Sequence, residues 1–175
     1  ALATVKADSD LSAMMEVIHY FLREEEKKKE PTINWQNVLS KACEMFDGGF
    51  VAEGICGNGD AFILRDKHGI RPAYYYVDDE VVAAASERPV LMTAFKTTSD
   101  KIIELQPGHA LIIKSNGEFV VERILPEAPK KACSFERIYF SRGSDEEIYN
   151  ERKALGKLLS VKVLKAIKYD LKNTI

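Results

Sequence analysis

Leu11, Met14, Met15, Ile18, Phe21 and Leu22 recur at spacings of three and four, the period of a half-buried helix, and predict one over about 10–30. Asp8 or Ser9 is placed to cap its first amides. The run Glu24-Glu25-Glu26-Lys27-Lys28-Lys29 sets acidic residues three positions before basic ones, which reads as a solvated helix end, and Pro31 closes it. Trp35, Val38, Leu39, Ala42 and Phe46 predict a second helix over 34–46, stopped by Gly48 and Gly49.

The period then changes. Residues 50–56 and 61–65 read as strands around Gly57-Asn58-Gly59, and 74–77 and 81–85 as a second pair around Asp78-Asp79-Glu80. A short helix is expected over 88–94, with Pro89 in its first turn. Strands follow at 101–105, 109–114 and 118–124, separated by Gln106-Pro107-Gly108, which suits a type II turn, and by the hairpin signal Asn116-Gly117. Pro126 to Lys131 reads as a linker, and Phe135, Ile138 and Phe140 as an extended stretch. A last helix over about 145–168 carries Ile148, Leu155, Leu158, Leu159, Leu164 and Ile167 on one side. Two helices, a run of hairpins and a final helix make the class α+β. The expected division is a main body over 1–125 and a linker with a bridging helix over 126–175.

Composition narrows the function. The 175 residues are 46 % apolar and 30 % charged, values of a globular chain and not of a disordered one. Twenty-five basic and 27 acidic residues give a net charge of -2, which argues against nucleic-acid binding. No apolar run reaches the ~20 residues of a membrane span. Three cysteines, at 43, 56 and 133, form no Cys-x-x-Cys pair, and no signal-like segment opens the chain, so a reducing, cytoplasmic setting is expected.

Few residues offer chemistry. Gly57-Asn58-Gly59 lacks the spacing and the lysine of a phosphate loop and reads as a turn. His19, His68 and His109 have no metal-ligand spacing. Ser86 lacks a nucleophile-elbow context and reads as a helix cap. Arg65, Asp66 and Arg71 either bind an anion or, more simply, hold a glycine turn together by internal ion pairs. Cys133 is open to reading as a core thiol, a redox thiol or one ligand of a cluster. Asp8 can cap its helix or accept an ammonium group at a cleft edge. No nucleophile–base pair emerges.

Four blocks occur in order: Arg65-Asp66-Lys67-His68-Gly69-Ile70-Arg71-Pro72, Ala84-Ala85-Ser86-Glu87, Leu105-Gln106-Pro107-Gly108, and Cys133-Ser134-Phe135-Glu136-Arg137-Ile138-Tyr139-Phe140-Ser141-Arg142. Together they resemble the amidophosphoribosyltransferase family, glutamine-using enzymes that start purine biosynthesis. The resemblance implies an N-terminal-nucleophile fold, an αββα sandwich, here shortened at its N-terminus and carrying a C-terminal bridging helix. It implies glutamine hydrolysis by an N-terminal Cys whose own amine is the base, with an Arg on the glutamine carboxylate, an Asn-Gly oxyanion hole and an Asp on the ammonium. Ammonia then attacks phosphoribosyl pyrophosphate in a second domain with Mg²⁺ present.

Residue 1 is Ala, and no His-Asn-Gly segment precedes the first helix. Ala7-Asp8-Ser9-Asp10 resembles the family's Ser-Asp-Ser-Glu stretch, which assigns glutamine-ammonium binding to Asp8. No catalytic residue is assigned. Some members carry a [4Fe–4S] cluster, and the resemblance makes Cys133 one ligand in the full-length parent; this chain alone is expected to hold no cofactor. The expectation is a partial glutaminase domain, itself inactive, whose parent uses L-glutamine and phosphoribosyl pyrophosphate, and which forms a homo-oligomer through exposed strand edges. The alternative is a non-enzymatic regulatory or scaffold domain derived from the same fold.

Overall fold

The computed structural model describes residues 9–174. Helix α1, Asp10–Glu26, begins at Ser9, whose Oγ accepts the Ser12 amide at 3.3 Å. It ends earlier than the expected residue 30, and Lys29 takes a positive φ of 56° beyond it. Helix α2, Trp35–Cys43, is capped by Asn34 and stops short of the expected residue 46. The α2 stripe and, from α1, Ile18, Phe21 and Leu22 join one core with the sheet that follows, while Leu11 and Met15 of the α1 stripe are exposed.

That sheet joins β1 (Val51–Ile55), β2 (Ala61–Arg65), β6 (His109–Ile113) and β7 (Phe119–Arg123) in the order β1-β2-β6-β7, with every pair antiparallel. A second sheet has the order β4-β3-β5, from β3 (Tyr74–Val77), β4 (Val82–Ala85) and β5 (Ile103–Glu104), again antiparallel. Helix α3, Arg88–Ala94, follows β4.

Strand alternation sorts the core. Phe62 and Leu64 of β2, with Ala110 and Ile112 of β6, meet Trp35, Val38 and Leu39 of α2. Their sequence neighbours Ile63 and Leu111 point the other way and pack with Tyr75, Val82 and Ala84 of the three-stranded sheet. Tyr76 in turn faces α3 through Leu91. The result is an α+β body in which helices flank antiparallel sheets. Both Asn-Gly sites make hairpins: Cys56 and Asp60 bracket one, closed by a 2.8 Å bond, and Lys114 and Glu118 the other, at 2.7 Å. The Gln106-Pro107-Gly108 turn closes with the His109 amide on the Gln106 carbonyl and Gly108 at φ 72°, as a type II turn requires.

Two expected strands differ. Within 101–105 only Ile103–Glu104 is strand, opposite Tyr75 and Tyr74; the Leu105 amide adds a 2.9 Å bond to the Ala73 carbonyl, and Ser99–Lys101 forms a 3-10 turn. Phe135, Ile138 and Phe140 are not extended: Glu136–Phe140 is a π-helical turn closed by the Ser141 amide on the Glu136 carbonyl. Helix α4, Glu146–Ala166, is capped by the Asp145 carboxylate. Of its apolar side Ile148 is buried, while Leu155, Leu158 and Leu159 are exposed.

Candidate functional site

The turn after β2 is organised by Asp66, which is 1 % exposed. Its carboxylate accepts the amides of His68 at 2.9 Å, Ile70 at 3.0 Å and Arg71 at 3.4 Å. Gly69 has φ 59°, and a Cβ there would stand 2.7 Å from Pro107 Cγ, so both conformation and space call for glycine. Arg65 turns inward beneath the turn. Its Nε donates to the Arg71 carbonyl at 2.8 Å, Nη2 to the Gly69 carbonyl at 3.1 Å, and Nη1 to Glu104 at 2.8 Å and to the Leu105 carbonyl. Arg65 and Asp66 therefore hold the turn, mainly by gripping backbone. Arg71 does not join them through its side chain.

Arg71 instead lines an open cleft of about 430 Å³, within the ~300–1,000 Å³ of small-molecule sites. Glu53 of β1, Ser86 and Glu87 ahead of α3, and Glu136 and Phe140 of the π-turn share its walls. The Arg71 side chain is half exposed, pairs through Nη1 with Glu136, and lies 5.9 Å from the Phe140 ring centroid. Among the described residues the cleft thus has one guanidinium, three carboxylates, two hydroxyls, from Ser86 and Ser141, and an aromatic wall. It is equipped to bind a small zwitterion.

Ion pairs fasten the linker and α4 beside this cleft. Arg142 meets Glu87 at 3.5 Å, Arg88 meets Asp145 at 3.6 Å and Glu147 at 3.0 Å, and Lys130 meets Glu104 at 2.7 Å. Burial pushes the Glu104 carboxyl up, but Lys130 and Arg65 outweigh it and hold the group below its ordinary value. Ser86 does not cap α3. The cap position is Glu87, because the helix starts at Arg88 with Pro89 in its first turn, and the Glu87 side chain makes no capping bond.

Asp8 lies outside the described residues. Cys133 is half-buried in the linker, not in the core; its amide donates to the Ile70 carbonyl at 3.4 Å, and the residue borders a cavity of about 50 Å³ behind the cleft. Among the described residues no group of three or more His, Cys, Asp or Glu side chains is arranged to hold a metal. A four-thiolate cluster does not fit this chain, since Cys43 sits in α2 and Cys56 at the end of β1. Burial pushes the Cys43 thiol up to about 12, and burial with Asp60 and Glu26 raises Cys56, so neither is disposed to ionise. His19 is exposed, and the rings of His68 and His109 contact the Pro129 and Pro107 carbonyls.

Sequence reasoning missed the pairing of Arg71 with Glu136. Each stands in a distinctive block, but nothing in the spacing of two blocks reports a contact between them.

The pattern of the family described as glutamine amidotransferases class-II matches residues 2–134. The amidophosphoribosyltransferase of Saccharomyces cerevisiae is 28 % identical over 181 positions, covering 94 % of this chain and 34 % of that protein. That of Synechocystis sp. is 29 % identical over 143 positions, covering 71 % and 28 %. The chain thus spans about a third or less of the length of these relatives. Among solved structures, the glutamine phosphoribosylpyrophosphate amidotransferase of B. subtilis, complexed with ADP and GMP, superposes with a TM-score of 0.59 at 22 % identity, over 80 % of this chain and 28 % of that one. A structure described as the allosteric regulatory enzyme of purine biosynthesis gives 0.58 at 22 %, over 80 % and 27 %. At that identity the likeness speaks for the fold.

Proposed function

This chain belongs to the class-II glutamine amidotransferases, and from that premise we propose that it is part of the glutaminase domain of an amidophosphoribosyltransferase-like enzyme, with the Arg71 cleft as its amino-acid site. One observation carries the reading: among the described residues Arg71 is the one guanidinium lining the cleft, half exposed, on a turn whose backbone Asp66 and Arg65 fix. A planar fork of donors at that place suits an α-carboxylate. Asp8 takes the α-ammonium. The body over 1–125 is the partial glutaminase domain of αββα, N-terminal-nucleophile type, and 126–175 leads toward the phosphoribosyltransferase part.

In the parent, glutamine-derived ammonia is transferred to phosphoribosyl pyrophosphate. Mg²⁺ and any iron–sulfur cluster with Cys133 as a ligand depend there on residues this chain does not contain. The 175 residues alone turn over no glutamine. Acyl transfer needs a thiolate beside its base, whereas burial keeps Cys43 protonated and Cys56 is shifted the same way.

Calorimetric titration of the chain with L-glutamine, alongside an ammonia-release assay, tests the reading. Binding that is lost in Arg71→Ala, without ammonia release, is expected. No binding by the folded chain, equal binding by Arg71→Ala, or turnover abolished by changing one of the three cysteines would contradict it.

A further inference from the structure

We propose that β7 is the contact edge of a symmetric dimer: two copies of this chain pair β7 with β7, antiparallel, about a two-fold axis at Val121, so that two four-stranded sheets become one.

The order β1-β2-β6-β7 leaves β7, among the described residues, with a neighbour on one side only. The bonds at its two ends say which backbone groups face outward. The Lys114 amide donates to the Glu118 carbonyl at 2.7 Å, and the Ile124 amide to the Gly108 carbonyl at 2.9 Å. Along an antiparallel strand, positions bonded to the neighbour alternate with positions that turn away from it. Val120 and Glu122 therefore bond β6, opposite Ile112 and Ala110. Phe119, Val121 and Arg123 turn their N–H and C=O groups to the open edge. No proline interrupts the strand, so each of these residues offers both a donor and an acceptor. Such an edge is a template for another strand.

Symmetry selects the register. A two-fold axis at Val121 sets Val121 of one copy against Val121 of the other, and Phe119 of each against Arg123 of the other. Every outward N–H and C=O of the strand is then paired. Directly opposed side chains stand roughly 5 Å apart at Cβ, which brings each Arg123 guanidinium within reach of a Phe119 ring. Phe119 is 43 % exposed and Arg123 is exposed, so both are available for the contact. On the other face Val120 meets Glu122, and nowhere do like charges oppose each other.

The opposite edge of the same sheet supplies the contrast. The Asp66 amide donates to the Phe50 carbonyl at 3.0 Å and the Cys56 amide to the Asp60 carbonyl at 2.8 Å, so the outward residues of β1 are Val51, Glu53 and Ile55. A symmetric pairing that used all three would press Glu53 against Glu53, two carboxylates directly opposed, which is destabilising. In the second sheet β4 has four residues and β5 two, which leaves less edge to pair. β7 is the edge whose sequence is complementary to itself under a two-fold axis.

The test is sedimentation equilibrium of the chain over a concentration series, beside Phe119→Lys, Arg123→Glu and the double variant Phe119→Lys/Arg123→Glu, with circular dichroism to show that each is folded. Phe119→Lys sets a lysine against each Arg123. The double variant restores opposite charges at the same two positions, which within one strand lie about 13 Å apart and do not meet. We expect a reversible monomer–dimer equilibrium for the chain, a dissociation constant raised about tenfold or more in Phe119→Lys, and recovery of most of that loss in the double variant. A monomer at every concentration overturns the proposal. So does growth past the dimer, which head-to-tail pairing of β7 with β1 would give. Unchanged association in folded Phe119→Lys, or a double variant that associates no better than Phe119→Lys, overturns it as well. Should Phe119→Lys not fold, Arg123→Glu decides, since it takes the cation from both rings by changing an exposed side chain: weaker association supports the β7 contact and undiminished association overturns it.

Discussion

Asp66→Asn is the substitution that most directly strains the support of the site. It keeps the shape of a side chain that is 1 % exposed and changes only its donors and acceptors. The carboxylate takes the His68 amide at 2.9 Å on Oδ1, the Ile70 amide on both oxygens, at 3.2 Å on Oδ1 and 3.0 Å on Oδ2, and the Arg71 amide at 3.4 Å on Oδ2. An asparagine can orient its one oxygen toward His68, turning a charge-assisted bond into a neutral one at a cost of about 1 kcal/mol. Its amide nitrogen then faces the Ile70 and Arg71 amides, donor against donor. The Ile70 amide keeps its longer 3.2 Å contact to that oxygen but meets a donor where its 3.0 Å acceptor stood, for about 1 kcal/mol, and the long Arg71 contact adds little. The expected destabilisation is about 2 kcal/mol, a large share of the ~5–15 kcal/mol typical of a domain, and corresponds to a melting temperature lower by about 4–8 °C. Urea unfolding followed by circular dichroism and by fluorescence of Trp35, the chain's single tryptophan, measures it. Coincident transitions license the free-energy comparison. A loss below about 1 kcal/mol with an unchanged urea slope would refute the claim that the carboxylate holds this turn.

Gly69→Ala places a Cβ 2.7 Å from Pro107 Cγ on a residue at φ 59°; it is expected to cost at least the ~1–2 kcal/mol of a left-handed non-glycine residue, read as a lower urea midpoint. In timed alkylation at pH 8, buried Cys43, its thiol pushed up to about 12, should be the last of the three cysteines labelled, until denaturant is added. Glu104 has a folded-state pKa below its ordinary value of 4.5, so its pair with Lys130 stabilises fully above about that pH and is lost as pH falls through the folded-state value. The stability difference between the chain and Lys130→Met should therefore be constant from pH 7 to about 5 and shrink in more acidic solution.

The sheets were legible because their alternation reports two real surfaces. Phe62 and Leu64 face α2 while Ile63 faces the second sheet, and a period of two follows directly. The hairpins were legible because Asn-Gly states a backbone conformation and not only a composition. The π-turn was not. Phe135 and Phe140 are more than half exposed, so their spacing reflects no sheet. What shapes that segment is its attachment to α4, where Arg152 donates to the Arg137 carbonyl at 3.2 Å and Arg137 pairs with Glu151 at 2.8 Å. Helix α4 was legible as a helix with an apolar side, but an apolar side does not say whether a neighbour lies against it. As for the site, Arg65 and Arg71 are the same residue type in one short block, and only the fold separates the one that grips backbone from the one that lines the cleft. The separation arises because β2 ends at Arg65 with its side chain beneath the turn, while Arg71 leaves the turn on the side of the π-helical segment.

The central claim is that Arg71 receives the α-carboxylate of glutamine. A crystal structure of the chain grown with L-glutamine tests it most directly. The account predicts the ligand in the cleft between Glu53 and the π-turn, its carboxylate on the Nε and Nη2 edge of Arg71 and Glu136 still on Nη1. Glutamine bound elsewhere, or in the cleft with its carboxylate away from Arg71, would contradict it.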